Sequence, residues 1–240
     1  LCNGNISNSL IPYNNIIINN FSGLFDNLNL WYCTNCGLGT INSEIKNELV
    51  FNFYKFQYRA KNSPFHLNFK DTNDIHEAFV CYSHRTTQQL LLVKEFCTFE
   101  SNDLFLDIGP GAGGSFYIAS SLLNEPQLFG IELSNGASEF YNRFPLNKIN
   151  VLDSIEKFIE LKKKAKVLLL SHSLEHYQIA DLPDLFKNIK HAMDPEGILI
   201  IEVPNVDLRI HTKNRGADTP HFLFFSQKSL GILLEKHGFK

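Results

Sequence analysis

A carboxylate and a run of glycines stand together near the middle of the chain. The segment 104–114 reads LFLDIGPGAGG, so that Asp107 is followed by Gly109, Gly111 and Gly113. Glycine lets the main chain take conformations closed to other residues and lets a ligand lie against it without meeting a Cβ. A carboxylate at this turn would attract an ammonium group and repel a pyrophosphate. The segment therefore predicts a binding site for a ligand that carries an ammonium group.

The same glycines allow a second interpretation. Gly109, Gly111 and Gly114 match the G-x-G-x-x-G spacing of dinucleotide-binding folds, and Glu132 would then be the acid that binds the ribose. This interpretation would make the protein an NAD-linked oxidoreductase or a sugar epimerase. Asp107 disfavours it, because a dinucleotide fold usually has a small or apolar residue at that position.

Several segments, taken in chain order, resemble one enzyme family. The stretch from Asp107 to Gly113 resembles motif I, D-x-G-x-G-x-G, of the class I S-adenosylmethionine (SAM)-dependent methyltransferases, in particular the type 11/12-like members. Residues 174–176 resemble the LEH segment of that family, and residues 220–226 resemble its closing loop. The resemblance extends over about residues 100–240. It implies a SAM-dependent methyltransferase, and SAM carries an ammonium group at its methionine end.

The carboxyl ends of the predicted strands supply further candidate cofactor ligands, because ligands of open α/β sheets bind there. Glu132 ends an apolar strand, and its carboxylate is suited to accept hydrogen bonds from two vicinal ribose hydroxyls. Asp153 resembles the family's acceptor of the adenine amino group, although a helix N-cap explains it nearly as well. The predicted cofactor-binding residues are Asp107, Gly109, Gly111, Gly113, Glu132, Leu133, Asp153, Ser154 and Ser171.

Three histidines are candidate catalytic residues. Methyl transfer to a hydroxyl or a carbon acid requires removal of a proton, and histidine performs this task near neutral pH. His176 ranks first as the base, His172 is expected to contact the cofactor through its backbone, and His221 is a candidate substrate contact. In the resembled family the preceding aromatic region forms a lid, whose candidate substrate contacts here are Tyr54, Tyr58, Tyr82, His84 and Arg85.

Cys33 and Cys36 form a C-x-x-C knuckle that is followed by Gly37. This spacing presents two sulfurs to one tetrahedral ion, and a small β-ribbon with little core gains its fold from such a metal. Cys2 is the third candidate zinc ligand, and a fourth would fall just before Leu1. The segment resembles the N-terminal zinc-binding module that precedes some sugar-type methyltransferases. Reduced structural cysteines without a metal are the alternative.

Strands and helices alternate along the second half of the chain, which predicts an α/β fold. The expected core, residues 100–240, is a Rossmann-like, doubly wound and mainly parallel sheet with helices on both faces. A zinc-ribbon-like β module at 1–43 and a helical lid at 44–99 are expected to precede it. The pattern predicts helices from Ser43 as N-cap, over 72–99 and over 137–144, and residues 194–197 stand where the resembled family usually has a turn.

The composition narrows the class of protein. The chain has 240 residues and a net charge of −3, which argues against a large nucleic-acid surface. No run approaches the roughly 18 apolar residues that a membrane span requires, so a soluble, cytoplasmic protein is expected. The chain begins with Leu1 rather than Met and ends on Phe239-Lys240, and we expect both termini to be truncated.

The resemblance implies a SAM-dependent methyltransferase that acts on a small molecule, and the zinc-binding module together with this core implies a sugar or a nucleotide-sugar as that molecule. An RNA methyltransferase with a zinc ribbon is the nearest enzymatic alternative. A non-catalytic binding protein with a vestigial Rossmann core is a third possibility. Asp107 and Glu132 speak against it, because a vestigial pocket has no reason to keep both carboxylates. The sequence does not predict the oligomeric state.

Overall fold

A computed structural model describes residues 2–7, 9–15, 23–60, 63, 72–135, 149–213 and 215–240, with the backbone alone over 72–83. The chain divides into two compact units. The antiparallel unit comprises Leu1–Val50, His172–Lys187 and Glu202–Lys240, and the parallel unit comprises Phe51–Ser171 and Asn188–Ile201. The helix predicted over 137–144 lies outside the described residues.

The described elements follow in chain order. The strands are β1 (Ile11–Pro12), β2 (Asn29–Tyr32), β3 (Gly39–Ile41), β4 (Leu104–Ile108), β5 (Gln127–Ile131), β6 (Ile149–Leu152), β7 (Ala165–Ser171), β8 (Met193–Glu202) and β9 (Leu223–Phe224). The α-helices are α1 (Asn47–Asn52), α2 (Thr72–Phe96), α3 (Gly114–Leu122), α4 (Ile155–Glu160), α5 (Leu182–Ala192) and α6 (Gln227–Lys236). A π-helical turn, Phe53–Gln57, follows α1 directly.

The antiparallel unit is built on a four-stranded sheet in the order β1-β2-β3-β9. All three strand pairs are antiparallel, and β3 pairs with β9 through Gly39 and Phe224. Leu30 of β2 is fully buried, and the rings of Phe25 and Phe222 stack with centroids 5.5 Å apart. Residues from both ends of the sequence therefore share one core.

The parallel unit contains the second sheet, whose strands lie in the order β6-β5-β4-β7-β8. β4 is central, all five of its residues are buried, and it pairs in parallel with both β5 and β7. Strand order reverses beside β4, and such a reversal opens a crevice at the carboxyl ends of the strands. The predicted Rossmann-like parallel fold is confirmed.

Helices α2 and α3 supply side chains to the core of the parallel unit. Leu90 and Val93 of α2 and Phe116 of α3 are buried in one apolar cluster with Phe105 of β4. The ring of Phe116 meets that of Phe105 edge-on, with centroids 6.5 Å apart. This packing holds the start of α3 in place, and the glycine-rich loop leads directly into that helix.

The predicted helix with Ser43 as N-cap is wrong in its start. α1 begins only at Asn47, because the side chain of Gln178 binds the backbone of Ile45. The Ile45 amide donates to Gln178 Oε1 at 2.9 Å, and Gln178 Nε2 donates to the Ile45 carbonyl at 2.8 Å. These bonds replace the backbone bonds that a helix would have supplied at that residue.

Residues 194–197, where the resembled family usually has a turn, lie within β8, but the chain bends there, since a Cβ at Gly197 would lie 2.9 Å from the carbonyl oxygen of Asp194. The side chain of Asp194 accepts a hydrogen bond from the Glu196 amide at 2.9 Å, which satisfies that group within the strand. The predicted module boundaries after residues 43 and 99 stay predictions. No helix within the described part of the chain is long and apolar enough to cross a membrane.

Candidate cofactor-binding site and histidine cluster

The glycine loop connects β4 to α3 in the parallel unit. Gly109, Gly111 and Gly113 have φ angles of 79°, 57° and 76°, a region that residues with a Cβ rarely adopt. The Gly109 amide donates to the carbonyl of Ile131 in β5 at 2.9 Å, so the loop starts from a fixed sheet position. The prediction that these glycines form a tight turn between a strand and a helix is confirmed.

Asp107 lies in β4, immediately before the loop, and only 3% of its surface is exposed. Its carboxylate accepts a hydrogen bond from the hydroxyl of Ser115 in α3. Burial raises the pKa of Asp107 to about 7, the Ser115 hydroxyl opposes this shift, and the nearby Glu132 adds to it. A cationic partner stabilises the charged form of such a buried carboxylate, because its attraction compensates for the hydration that burial removes.

Glu132 follows β5 and is partly buried. Its Oε1 accepts a hydrogen bond from the Ser134 amide at 2.8 Å. Burial raises the pKa of Glu132, while the amides of Ser134, Gly111 and Leu133 and the positive charge of Arg59 counteract that rise. The side chain is therefore held by backbone donors at the edge of the glycine loop.

A cavity of about 230 Å³ lies beside Glu132 and is lined in part by Leu133 and Asp153. Asp153 is exposed and pairs with Lys157 at 2.7 Å, and this contact lowers the pKa of its carboxyl. Ser154 is the N-cap of α4, where its hydroxyl accepts from the Lys157 amide at 3.4 Å. Ser154 thus fills the capping role that was considered for Asp153.

Ser171 is the last residue of β7, and its hydroxyl accepts a hydrogen bond from Gln89 Nε2 at 3.3 Å. The residues that hold Asp107, Glu132 and Ser171 all belong to the parallel unit. Whether Ser171 contacts a cofactor stays a prediction.

His172 opens the histidine cluster of the antiparallel unit, with a φ of 53° that turns the chain sharply. Its Nδ1 lies 3.5 Å from Glu175 Oε1, and its Nε2 lies 3.3 Å from Glu202 Oε1. Glu175 is almost fully buried, with 1% of its surface exposed. Two carboxylates therefore flank the ring of His172.

His176 and His221 complete this cluster, with ring centroids 5.1 Å apart. His176 Nδ1 lies 3.3 Å from the carbonyl of Pro220, and a bond there requires the proton on Nδ1 and leaves the lone pair on Nε2. His221 Nε2 lies 4.0 Å from Glu175 Oε1. Burial lowers the pKa of His221 to about 4, and His172 contributes to that shift.

The sulfur atoms of Cys2, Cys33 and Cys36 lie within 4.8 Å of one another in the antiparallel unit. The sulfurs of Cys2 and Cys33 are 3.2 Å apart. Interaction with Cys33 lowers the pKa of the Cys2 thiol to about 7, and burial raises that of Cys36 to about 11. The three cysteines that the sequence singled out are thus brought together.

The donor set around the glycine loop fits SAM. A Cβ at Gly111 would meet nothing closer than Arg59 Nη2 at 3.5 Å, so the backbone there is open to a ligand. A buried carboxylate stands at one end of the loop, and the carboxylate of Glu132 stands beside a cavity. The first suits an ammonium group, and the second suits a ribose diol.

Comparison with known proteins agrees with this chemistry. A family model described as a methyltransferase domain matches residues 82–240. The chain belongs to this methyltransferase family. The search of curated proteins found no match to this chain.

Several solved structures are similar to this chain, and the one with a TM-score above 0.5 that is described next shows the same fold. One is the mycolic acid cyclopropane synthase CmaA1 complexed with S-adenosylhomocysteine (SAH), at 15% identity and a TM-score of 0.52, with coverage of 64% of this chain and 60% of that chain. The methyltransferase thus spans 60% of the length of that protein.

Two further structures have TM-scores of 0.47. One is a SAM-dependent methyltransferase from Archaeoglobus fulgidus, with 21% identity and coverage of 71% of this chain and 75% of that chain. The other is a phosphoethanolamine N-methyltransferase from Haemonchus contortus in complex with SAM, with 22% identity and coverage of 63% of this chain and 36% of that chain.

Sequence reasoning assigned no role to three residues that the structure places at these sites. Ser115 and Arg59 contact the glycine loop or its carboxylates, and Glu175 lies among the histidines. Glu175 could have been found from its place beside His176, whereas nothing in the sequence distinguishes Arg59.

Among the predicted lid residues, the rings of Tyr54 and Tyr58 meet edge-on, with centroids 5.3 Å apart. His84 and Arg85 are exposed on α2, and the side chain of Tyr82 lies outside the described residues.

Proposed function

We propose that this methyltransferase acts on a sugar or a nucleotide-sugar, with His176 as the catalytic base and zinc at the cysteine cluster. The observation that carries the proposal is the cluster of Cys2, Cys33 and Cys36, whose sulfurs lie within 4.8 Å of one another. A zinc-binding module ahead of such a core is the feature by which the sequence resembles sugar-type methyltransferases. The net charge of −3 supports a small acceptor over RNA.

The cofactor residues act by binding and orientation. Asp107 attracts the ammonium group at the methionine end, Glu132 accepts hydrogen bonds from the ribose hydroxyls, and Asp153 accepts from the adenine amino group. Gly109, Gly111 and Gly113 let the ligand approach the main chain. When bound, SAM supplies a methyl group that is already activated on a sulfonium sulfur. The protein therefore has to align the acceptor and remove its proton.

His176 is proposed to take that proton on Nε2. The contact of Nδ1 with the Pro220 carbonyl favours the tautomer whose lone pair is on Nε2. Glu175 and His172 orient the cluster, since His172 is flanked by carboxylates at 3.5 and 3.3 Å. The lowered pKa of His221 keeps that ring neutral near pH 7, which suits a substrate contact.

Zinc at Cys2, Cys33 and Cys36 would fix the turn between β2 and β3. The cysteines would bind zinc as thiolates, and the divalent cation would offset the repulsion between three negative sulfurs at such short distances. A fourth ligand would complete the tetrahedron. The residues of this site supply structure, and no step of the methyl transfer is assigned to them.

The proposed acceptor is tested with a panel of nucleotide-sugars and, separately, with transfer RNA. SAH release and the mass of the product are measured for the wild type, for His176→Ala and for His191→Ala, which changes an exposed histidine of α5. We expect a methylated nucleotide-sugar from the wild type and from His191→Ala. His176→Ala should lose about 10²-fold or more in rate, as is usual when a general base is removed. Its affinity for SAH should be unchanged.

Methylation of transfer RNA without methylation of any nucleotide-sugar would overturn the proposed acceptor. Full activity of His176→Ala would overturn the proposed base. Calorimetry with SAH is the control for folding and cofactor binding in each variant.

A further inference from the structure

Arg59 stands at the glycine loop, although it lies far from that loop in the sequence. It follows the π-helical turn Phe53–Gln57, and its guanidinium lies 4.6 Å from the centre of the Tyr58 ring. Its Nη2 is 3.5 Å from the point that a Cβ would occupy at Gly111. The guanidinium is therefore held against the part of the loop where the main chain is open to a ligand.

Arg59 also faces the acidic side of the same site. Its positive charge acts on Glu132 and opposes the rise in the pKa of that carboxyl. The amide of Gly111 counteracts the same rise in the pKa of Glu132. Arg59, Gly111 and Glu132 thus form one group within the parallel unit, with a cation, an open backbone and a carboxylate side by side.

The charges of the ligand call for such a cation. SAM and SAH carry both an ammonium group and a carboxylate at the methionine end. Asp107 and Glu132 suit the ammonium group and the ribose, but both would repel the ligand's own carboxylate. A guanidinium presents a planar pair of donors that matches a carboxylate in a bidentate geometry.

Two lysines near the same cavity are engaged elsewhere. Lys157 pairs with Asp153 at 2.7 Å. Lys55 lies over the ring of Phe51, 4.9 Å from its centre. Among these cations, Arg59 is the one whose charged group lies at the glycine loop.

We infer that Arg59 binds the carboxylate of the cofactor's methionine tail and so selects the amino-acid form of the ligand. The inference rests on the cofactor site proposed above and adds to it a specificity-determining residue. In this arrangement the charge of the guanidinium acts on Glu132 in the free protein, and the guanidinium binds the ligand's carboxylate in the complex.

Calorimetry with three ligands tests this role. SAH carries the amine and the carboxylate, S-adenosyl-3-thiopropylamine keeps the amine and lacks the carboxylate, and 5′-methylthioadenosine lacks both. Each is titrated into the wild type, Arg59→Ala, Arg59→Lys and Lys94→Ala, the last an exposed control in the final turn of α2.

We expect Arg59→Ala to weaken SAH binding about 10- to 100-fold, the range for a hydrogen-bonded charged group. Its affinity for the two ligands without a carboxylate should stay within about twofold of the wild type. Arg59→Lys should recover part of the SAH affinity, because lysine keeps the positive charge but lacks the planar pair of donors that a guanidinium offers. Lys94→Ala should match the wild type for all three ligands.

Two results would overturn the inference. Equal weakening for SAH and S-adenosyl-3-thiopropylamine would show that Arg59 acts by shaping the loop. Tighter binding of 5′-methylthioadenosine to Arg59→Ala, with SAH unchanged, would show that Arg59 only competes for Glu132. Failure of the wild type to bind SAH would count against the proposed cofactor site instead, so the two failures are distinguishable.

Discussion

The glycine loop and the cysteine cluster both bring binding groups together on a short turn, but they are held in different ways. The loop leaves β4, whose five residues are all buried, and its first amide bonds to β5. The cysteine turn joins β2 and β3, strands of four and three residues, through the Cys33 amide to the Leu38 carbonyl at 2.8 Å.

The two sites therefore differ in how much their structure depends on a bound ligand. The core of the parallel unit fixes the glycine loop, so its shape is set before a cofactor binds. Three thiols lie within 4.8 Å of one another at the cysteine turn, and an ion that they share would stabilise that turn. We therefore expect changes at the cysteines to unfold structure and changes at the loop to alter binding first.

The largest effect is expected from Cys36→Ser. If zinc holds the cluster, this change should release the metal and lower the free energy of unfolding by about 4 kcal/mol or more, the range that loss of a metal can reach. Metal analysis and chemical denaturation measure the two effects. Cys97→Ser is the matched control, because Cys97 lies outside the cluster and should leave zinc content unchanged. Equal stability of Cys36→Ser and the wild type, with no zinc in either, would favour reduced cysteines without a metal.

The next effect is expected from Asp107→Asn. This change keeps the side-chain shape and removes the charge, so SAH binding should weaken about 10- to 100-fold by calorimetry. A variant that binds SAH as well as the wild type would show that the loop alone recognises the ligand.

The same variant has a predicted pH signature. The pKa of Asp107 is raised from 3.8 to about 7 in the folded protein, so the folded state binds this proton more tightly than the unfolded state does. The wild type should therefore lose stability as the pH rises from about 4 to about 7. Asp107→Asn should flatten this dependence and leave a smaller slope in the same direction, because the pKa of Glu132 is also raised. Denaturation at several pH values checks this, with exposed Asp184→Asn as the control.

A smaller effect is expected from Gly130→Ala in β5. The added Cβ would lie 2.8 Å from Cζ of Phe116 and 3.3 Å from Cγ of Pro110. Phe116 is fully buried and cannot move away, so the free energy of unfolding should fall by about 1–3 kcal/mol, as in overpacked cores. Urea denaturation measures this. An unchanged midpoint would mean that the core of the parallel unit adapts more easily than its packing indicates.

The smallest effect is expected from Gly231→Ala, which should stabilise the protein where Gly130→Ala destabilises it. Gly231 lies inside α6 of the antiparallel unit, and a Cβ there meets nothing within 4 Å. Alanine should raise the free energy of unfolding by roughly 0.5–1 kcal/mol, because glycine costs more conformational entropy in a helix. The same denaturation experiment serves for both glycine variants. A loss of stability here would contradict the open environment of α6.

The apolar runs of the sequence correctly predicted the strands that carry the candidate cofactor-binding carboxylates. The apolar run before Asp107 and the run before Glu132 predict strands, and both carboxylates lie at or just beyond their carboxyl ends. The start of the helix after Ser43 was not predictable, since Gln178 binds Ile45 from a distant part of the chain. Residues 194–197 bend the chain as their residue types indicate, but the strand extends on both sides of that bend, which the sequence did not predict.

The sequence by itself determined the type of chemistry. Residues adjacent along the chain decide it, because a carboxylate before glycines and a C-x-x-C pair act through local geometry. Only the tertiary structure decided which distant residues join them. It paired β3 with β9, gathered Glu175 with His172 and His221, and brought Arg59 to Gly111. These contacts follow from the burial of apolar faces between segments far apart in sequence, and no short-range pattern encodes that burial.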